Sequence, residues 1–153
     1  MKAVVQRVSN ASLSVEERVV ADVEYPGGLV VLIGIETRDS ASDRRWLAEK
    51  VVHLRIFPDA DGKLNRSVLE TGGTILLVPN FTVAGDASKG RRPSFDNAMK
   101  PALAGAEFTR LCAEVRTLCP RVCEGVFGEH MHVSLVNDGP ITILLESPIP
   151  GVG

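Results

Sequence analysis

Leu29-Val30-Val31-Leu32-Ile33-Gly34-Ile35 is a continuous apolar run rich in β-branched residues. Such a run predicts a strand buried on both faces, at the centre of a sheet. Upstream, residues 2–8 alternate apolar and polar, and Ser9-Asn10 leads to a second short strand near 12–15. The polar turn Glu16-Glu17-Arg18 predicts a hairpin to a strand near 19–25, which Pro26-Gly27-Gly28 ends. Downstream, Ser40 and Asp43 have capping-box spacing, and Trp46, Leu47, Lys50, Val51 and Leu54 follow at helical intervals. Leu54-Arg55-Ile56-Phe57 predicts a strand that stops at Pro58, and Thr74 to Val78 predicts another. Residues 94–99 fit one helical turn. The longest helix falls at about 102–118, with Phe108, Leu111, Cys112, Val115 and Leu118 on one stripe. Strands near 121–127, 130–136 and 141–146 complete the count. Because strands come in groups, without strict βαβ alternation, the expected fold is a single α+β domain. Its sheet should be curved or barrel-like and mostly antiparallel, with two or three helices. The domain is expected over residues 1–147, followed by an irregular tail at 148–153, where Pro and Gly dominate.

Composition narrows the function. The chain has 153 residues, 44% hydrophobic and 24% charged, which is ordinary for a globular domain with a real core. A net charge of −2 excludes a global basic field, so any nucleic acid must be held by a local patch. No apolar stretch is long enough for a membrane span. The start alternates like a strand and lacks a signal peptide's apolar block, so a cytoplasmic location is expected. Cys112, Cys119 and Cys123 lack C-x-x-C spacing, and an odd count closes no disulfide set, which reads as free buried thiols. His130 and His132 form H-x-H on an expected strand, but zinc needs further ligands and none is near, so no metal is expected. Asp59-Ala60-Asp61-Gly62-Lys63 lacks the ligand set of a calcium loop and reads as a polar hairpin turn.

The chain contains no G-x-S-x-G elbow, P-loop, H-E-x-x-H or Rossmann glycine pattern, and no cofactor is expected. No serine or cysteine has an evident histidine partner. If the chain is an enzyme, its chemistry must demand little of side chains. An activated ester fits, since it needs water and an oxyanion hole of backbone N–H groups. Three segments bear on this. Asn137-Asp138-Gly139-Pro140-Ile141-Thr142 lies between two strand-forming runs. A Gly-Pro bond there can be cis at low cost, aiming carbonyl oxygens at a small polar group with no side chain in the way. Val78-Pro79-Asn80-Phe81-Thr82-Val83 ends a strand, where the N–H groups of Phe81 and Thr82 leave the ladder and become free to bind an oxyanion. Lys89-Gly90-Arg91-Arg92-Pro93-Ser94-Phe95 offers three cations on a Gly-Pro loop, a composition suited to phosphate.

Together these segments resemble the D-aminoacyl-tRNA deacylase family. Met1 to Val8, Leu47-Ala48-Glu49-Lys50, Leu54 to Phe57, Asp61-Gly62-Lys63 and Phe127-Gly128 extend the resemblance along the chain. It implies a hydrolase that cleaves D-aminoacyl-tRNA, and glycyl-tRNA mischarged on tRNA(Ala), recycling tRNA as chiral proofreading. It implies a homodimer in which Gly139-Pro140 reaches into the partner's site, holds the substrate α-amino group and shuts out L side chains. Arg7 would brace that turn. Phe81 and Thr82 would supply oxyanion N–H groups, with the Thr82 hydroxyl near the scissile bond. Phe127 and Met131 would line the pocket for the terminal adenosine, and Lys89, Arg91 and Arg92 would contact tRNA. The RNA's own 2′-hydroxyl would help activate water. One departure stands out: the family usually has Ser-Gln-x-Thr where this chain has Pro79-Asn80-Phe81-Thr82. Pro79 removes a hydroxyl and an N–H, and Asn80 is a methylene shorter than glutamine. A deacylase of relaxed chirality is therefore one alternative. A nucleic-acid-binding module without turnover is another, and a small-molecule esterase a third.

Overall fold

The computed structural model describes residues 1–148; the expected tail, apart from Pro148, lies outside the described residues. The chain begins with β1 (Lys2–Val15), β2 (Arg18–Val23) and β3 (Gly28–Gly34), followed by α1 (Ala41–His53). A small hairpin of β4 (Phe57–Pro58) and β5 (Leu64–Arg66) leads to α2 (Val68–Thr71) and β6 (Thr74–Pro79). A 3-10 turn at Phe81–Ala84 leaves the sheet, and α3 (Pro101–Leu118), β7 (Val122–Glu124) and β8 (His132–Glu146) close the fold.

The strands run in the order β2-β1-β3-β6-β7, with β8 also paired to β1. β1 pairs antiparallel with β2, β3 and β8, whereas β3 with β6 and β6 with β7 are parallel, so the sheet is mixed. It curves until its ends nearly meet: the Cys123 thiol of β7 donates to the Asp22 carbonyl of β2 at 3.4 Å. The sheet is thus barrel-like, as the grouping of strands predicts. β3 explains its own composition. Leu29, Val31 and Ile33 pack under α1 and α3 with Leu47, Val51, Phe108 and Leu111, while Val30 faces the inside of the curve with Val8, Leu13, Val23 and Leu76. A strand covered on both faces has no reason to alternate.

Several local expectations hold. Asp43 accepts the Ser40 N–H at 2.9 Å and opens α1. Asp59 accepts the N–H groups of Asp61 and Lys63, each at 2.9 Å, in a hairpin turn. Cys112 and Cys119 are buried free thiols; Cys123 is only half-buried. No described helix is long and apolar enough to cross a membrane.

Other expectations need correction. The segments near 2–8 and 12–15 are one strand, β1, because it changes neighbour partway, from β3 to β2. Strand character near 54–57 is confined to Phe57–Pro58. Residues 94–99 form turns without a helix: Asp86 and Ser94 exchange backbone hydrogen bonds at 2.8 Å each, and Thr37 and Met99 donate to and from this stretch. The strand near 121–127 stops at Glu124, so Phe127 sits in a loop. Strands at 130–136 and 141–146 merge into β8, since both halves pair with β1. α2 was not expected, although Ser67 and Glu70 form a complete capping box around it.

Candidate active site

At the C-terminal end of β6 the chain must turn out of the sheet. The Asn80 N–H still donates to the Ile33 carbonyl at 2.8 Å, and the 3-10 turn then folds back over β3. Gly34 permits this, because a Cβ there would lie 2.7 Å from the Ala84 nitrogen. The turn, the loop before α3 and the loop after β7 enclose an open cavity of about 500 Å³. Pro79, Asn80, Phe81, Phe127 and Met131 all line it. The sequence therefore identified five of its walls. Phe95, Met99, Lys100 and Glu129 also line it and were missed as site residues. They belong to irregular segments whose periodicity carries no signal, although Phe95 ends the basic motif.

The walls are aromatic and exposed. Phe81 is 60% exposed and meets Phe95 edge-on, with ring centroids 5.1 Å apart. Phe127, 37% exposed, tilts against Phe108 and is held close to α3 at Gly105. Burying such rings in a cavity without covering them leaves faces on which a flat ligand can stack. No serine, threonine, cysteine or histidine lines the cavity. Elsewhere the Cys112 thiol is pushed up by burial and then by Glu124, and the Cys123 thiol by burial and then by Asp22, so neither is an activated nucleophile.

The main chain of the 3-10 turn differs from expectation in one respect. The Phe81 N–H has no hydrogen-bond partner among the described residues. The Thr82 N–H, by contrast, donates to the Asn80 side-chain oxygen at 3.3 Å, and the Thr82 hydroxyl donates to the same oxygen at 2.5 Å. Asn80 thus caps the 3-10 turn through its carboxamide. One free N–H stands there where two were expected. Asn80 makes no hydrogen bond to Arg7 or to the Gly-Pro turn.

Gly139 and Pro140 do not line this cavity. They lie on β8, where Gln6 pairs with Thr142 and Val8 with Asn137. Arg7 alone therefore faces the four residues Asp138 to Ile141, which bulge out and are mostly exposed. The Gly139–Pro140 bond is cis. Arg7, only 8% exposed, donates from Nε to the Asp138 carbonyl at 3.1 Å and from a terminal nitrogen to the Ile56 carbonyl at 2.8 Å. Its other nitrogen lies 3.3 Å from the Asp138 carboxylate. Asn137 pins the bulge from within: its side-chain oxygen accepts the Ile141 N–H at 2.8 Å and its amide donates to Thr142 at 2.9 Å. Asn137 was not singled out as a side-chain brace. Lys89, Arg91 and Arg92 are exposed on the loop between Asp86 and Ser94, with no ion pair among the described residues.

A curved α+β sheet carries an open cleft lined by aromatic rings and by no serine, threonine, cysteine or histidine. The chain belongs to the D-Tyr-tRNA(Tyr) deacylase family, whose profile matches residues 4–146. The D-aminoacyl-tRNA deacylase of Myxococcus xanthus (strain DK1622) is 49% identical over 150 residues, covering 98% of this chain and 97% of that protein. The namesake from Geotalea uraniireducens (strain Rf4) is 50% identical over 148 residues, covering 97% and 94%. Among solved structures, a c-Myc DNA unwinding element binding protein superposes with TM-score 0.92 at 36% identity, covering 97% of this chain and 100% of that one. A probable eukaryotic D-amino acid tRNA deacylase, at TM-score 0.78 and 22% identity over 94% of this chain and 97% of its own, shares the fold.

Proposed function

We propose that the aromatic cavity holds the terminal adenosine of a D-aminoacyl-tRNA while the β8 bulge of a second copy closes over the amino acid. Family membership makes the chain a hydrolase of D-aminoacyl-tRNA; the assignment of parts is the proposal. The observation that carries it is the open cavity itself: aromatic, lined by no serine, threonine, cysteine or histidine, and bordered by Phe81, whose N–H has no partner among the described residues. Exposed rings suit an unpaired base at an RNA end. Water attacks the ester carbonyl carbon, the C–O bond to the ribose breaks, and the ribose oxygen takes the proton. The Phe81 N–H donates to the oxyanion that develops. Thr82, tethered to Asn80, keeps its hydroxyl oxygen near the scissile bond. The neighbouring 2′-hydroxyl of the RNA helps activate the water.

Within one chain the bulge is absent from the cavity lining, so the site needs a partner to bring it there. A homodimer in which Gly139 and Pro140 act across the interface supplies it. Their carbonyls hold the α-amino group, and an L side chain would strike the bulge, whereas glycine has none and passes. Pro79 and Asn80 shape the floor beneath. Lys89, Arg91 and Arg92 contact the tRNA backbone, and the work belongs in the cytoplasm.

The full chain, incubated with D-tyrosyl-tRNA and L-tyrosyl-tRNA, should release D-tyrosine and leave the L ester intact. Equal release of both would mean that the bulge does not sort handedness. A second reading, nucleic-acid binding without turnover, draws on the basic loop and on the name of the structure 36% identical to this chain. Tight binding with no release of D-tyrosine would establish it.

A further inference from the structure

Two charged side chains line the cavity, Lys100 and Glu129. Lys100 is exposed, and its side chain forms no hydrogen bond or ion pair among the described residues. Its backbone is fixed. The Lys100 carbonyl accepts the N–H groups of Leu103 and Ala104 at 2.9 Å each, Pro101 opens α3 behind it, and Met99 donates to the Ile35 carbonyl at 2.9 Å. Lys100 is thus the N-cap of an 18-residue helix. Lysine is ill suited to that position. Its side chain cannot accept a hydrogen bond from the first turn, and its charge opposes the positive end of the helix dipole. An anion resting beside it removes both difficulties.

We infer that Lys100 is a positioning residue that holds the phosphate on the 5′ side of the terminal nucleoside. The inference rests on the reading of the cavity as the adenosine site. A base stacked among Phe81, Phe95 and Phe127 must send its ribose and 5′-phosphate to the rim, because the rest of the RNA has to leave there. Lys100 stands on the rim with a free ammonium. Glu129 lines the same cavity from the Phe127–Met131 segment, and a carboxylate there disfavours phosphate, which leaves Lys100 as the one cation of the lining. The contact is a point charge on a phosphate and carries no base information.

The test uses the D-tyrosyl ester of adenosine and the same ester of 5′-AMP, alongside D-tyrosyl-tRNA. The wild-type chain should show a KM about fivefold lower for the AMP ester, the upper end for an exposed ion pair, with similar kcat. In Lys100→Gln that KM difference collapses, and the KM for D-tyrosyl-tRNA rises by a similar factor; Lys100→Arg restores both. A KM difference that survives Lys100→Gln overturns the inference, as does a wild-type chain that treats the two esters alike. If neither small ester turns over, the tRNA measurement decides, and an unchanged KM there overturns it. Failure to hydrolyse D-tyrosyl-tRNA at all would instead overturn the functional reading.

Discussion

The cavity beside α3 and the bulge on β8 are two regions with opposite construction. The cavity is open space between exposed rings; beside it Thr82, which is not part of its lining, is bonded twice to the Asn80 side chain. The bulge has no cavity, but Arg7, Asn137 and Thr142 bind it at both ends. Stacking surfaces tolerate small shifts of a ligand and supply affinity. A backbone held by several directed bonds cannot yield, and so can reject what does not fit. On the proposed function, holding and sorting fall to these separate elements, and mutation should separate them.

The largest effect should come from loosening the bulge. Arg7→Ala removes two hydrogen bonds to buried or half-buried carbonyls, an ion pair with Asp138 and a stacking contact over Phe57 at 5.9 Å. Hydrogen bonds to charged groups contribute about 1.5–3 kcal/mol each, so a loss near 3 kcal/mol in urea unfolding is expected. Hydrolysis of D-tyrosyl-tRNA should fall about 100-fold, with a poorer D-over-L ratio, a loss on the scale of a misplaced positioning group. Arg7→Lys should not rescue it, since a point charge cannot serve the carbonyls and the carboxylate together. An unaltered D-over-L ratio in a folded Arg7→Ala would remove the bulge from chiral selection.

Opening the cavity should do the reverse. Phe127→Ala takes away a stacking face worth about 1–3 kcal/mol per base, so KM for D-tyrosyl-tRNA should rise about 30-fold. The D-over-L ratio should stay at the wild-type value, because the bulge is untouched. A change in that ratio would show that the two regions are coupled. Thr82→Ala acts next to the cavity, on the residue that follows Phe81. It cuts the hydroxyl tether to Asn80 but leaves the Phe81 N–H, so kcat should drop about tenfold, less than the roughly 10²–10³-fold of a deleted oxyanion donor. Complete inactivity with native circular dichroism would make the hydroxyl indispensable.

The two regions were also unequally legible. The run at Leu29–Ile35 and the stripe on α3 speak directly, since burial leaves its period in the residues. The motifs at Pro79–Thr82 and Phe127 placed much of the cavity. Met99, Lys100 and Glu129 did not show, because a wall made by loops has no period and comes together only when Met99 is bonded to Ile35. The Gly139–Pro140 segment was visible as a break between strand-like runs. That both runs pair with β1, so that four residues arch over Arg7, depends on register, which no local pattern specifies. The coupling of the Thr82 N–H to Asn80 was hidden for a similar reason: an asparagine at a strand end can cap, reach across or face solvent, and only the turn's conformation decides.

The smallest effect would sharpen the contrast most, because it pulls stability and binding apart. Gly105 lies within α3, and a Cβ built there would sit 3.3 and 3.4 Å from two ring carbons of Phe127. Gly105→Ala should stabilise the helix by up to about 1 kcal/mol, as removing glycine from a helix interior does. The ring must meanwhile move a few tenths of an ångström, and the loop carrying it lies beside open space. A shift of Phe127 away from α3 would narrow the cavity that this ring lines. Thermal unfolding should shift upward, while KM for D-tyrosyl-tRNA rises about threefold, an effect well below the loss of a whole stacking face. The D-over-L ratio should again be unchanged. A variant that gains stability with KM unaltered would mean that the ring's position against α3 is immaterial to substrate. A variant that loses stability would mean that Phe127 is wedged too firmly to move, and that the cavity wall is as rigid as the bulge.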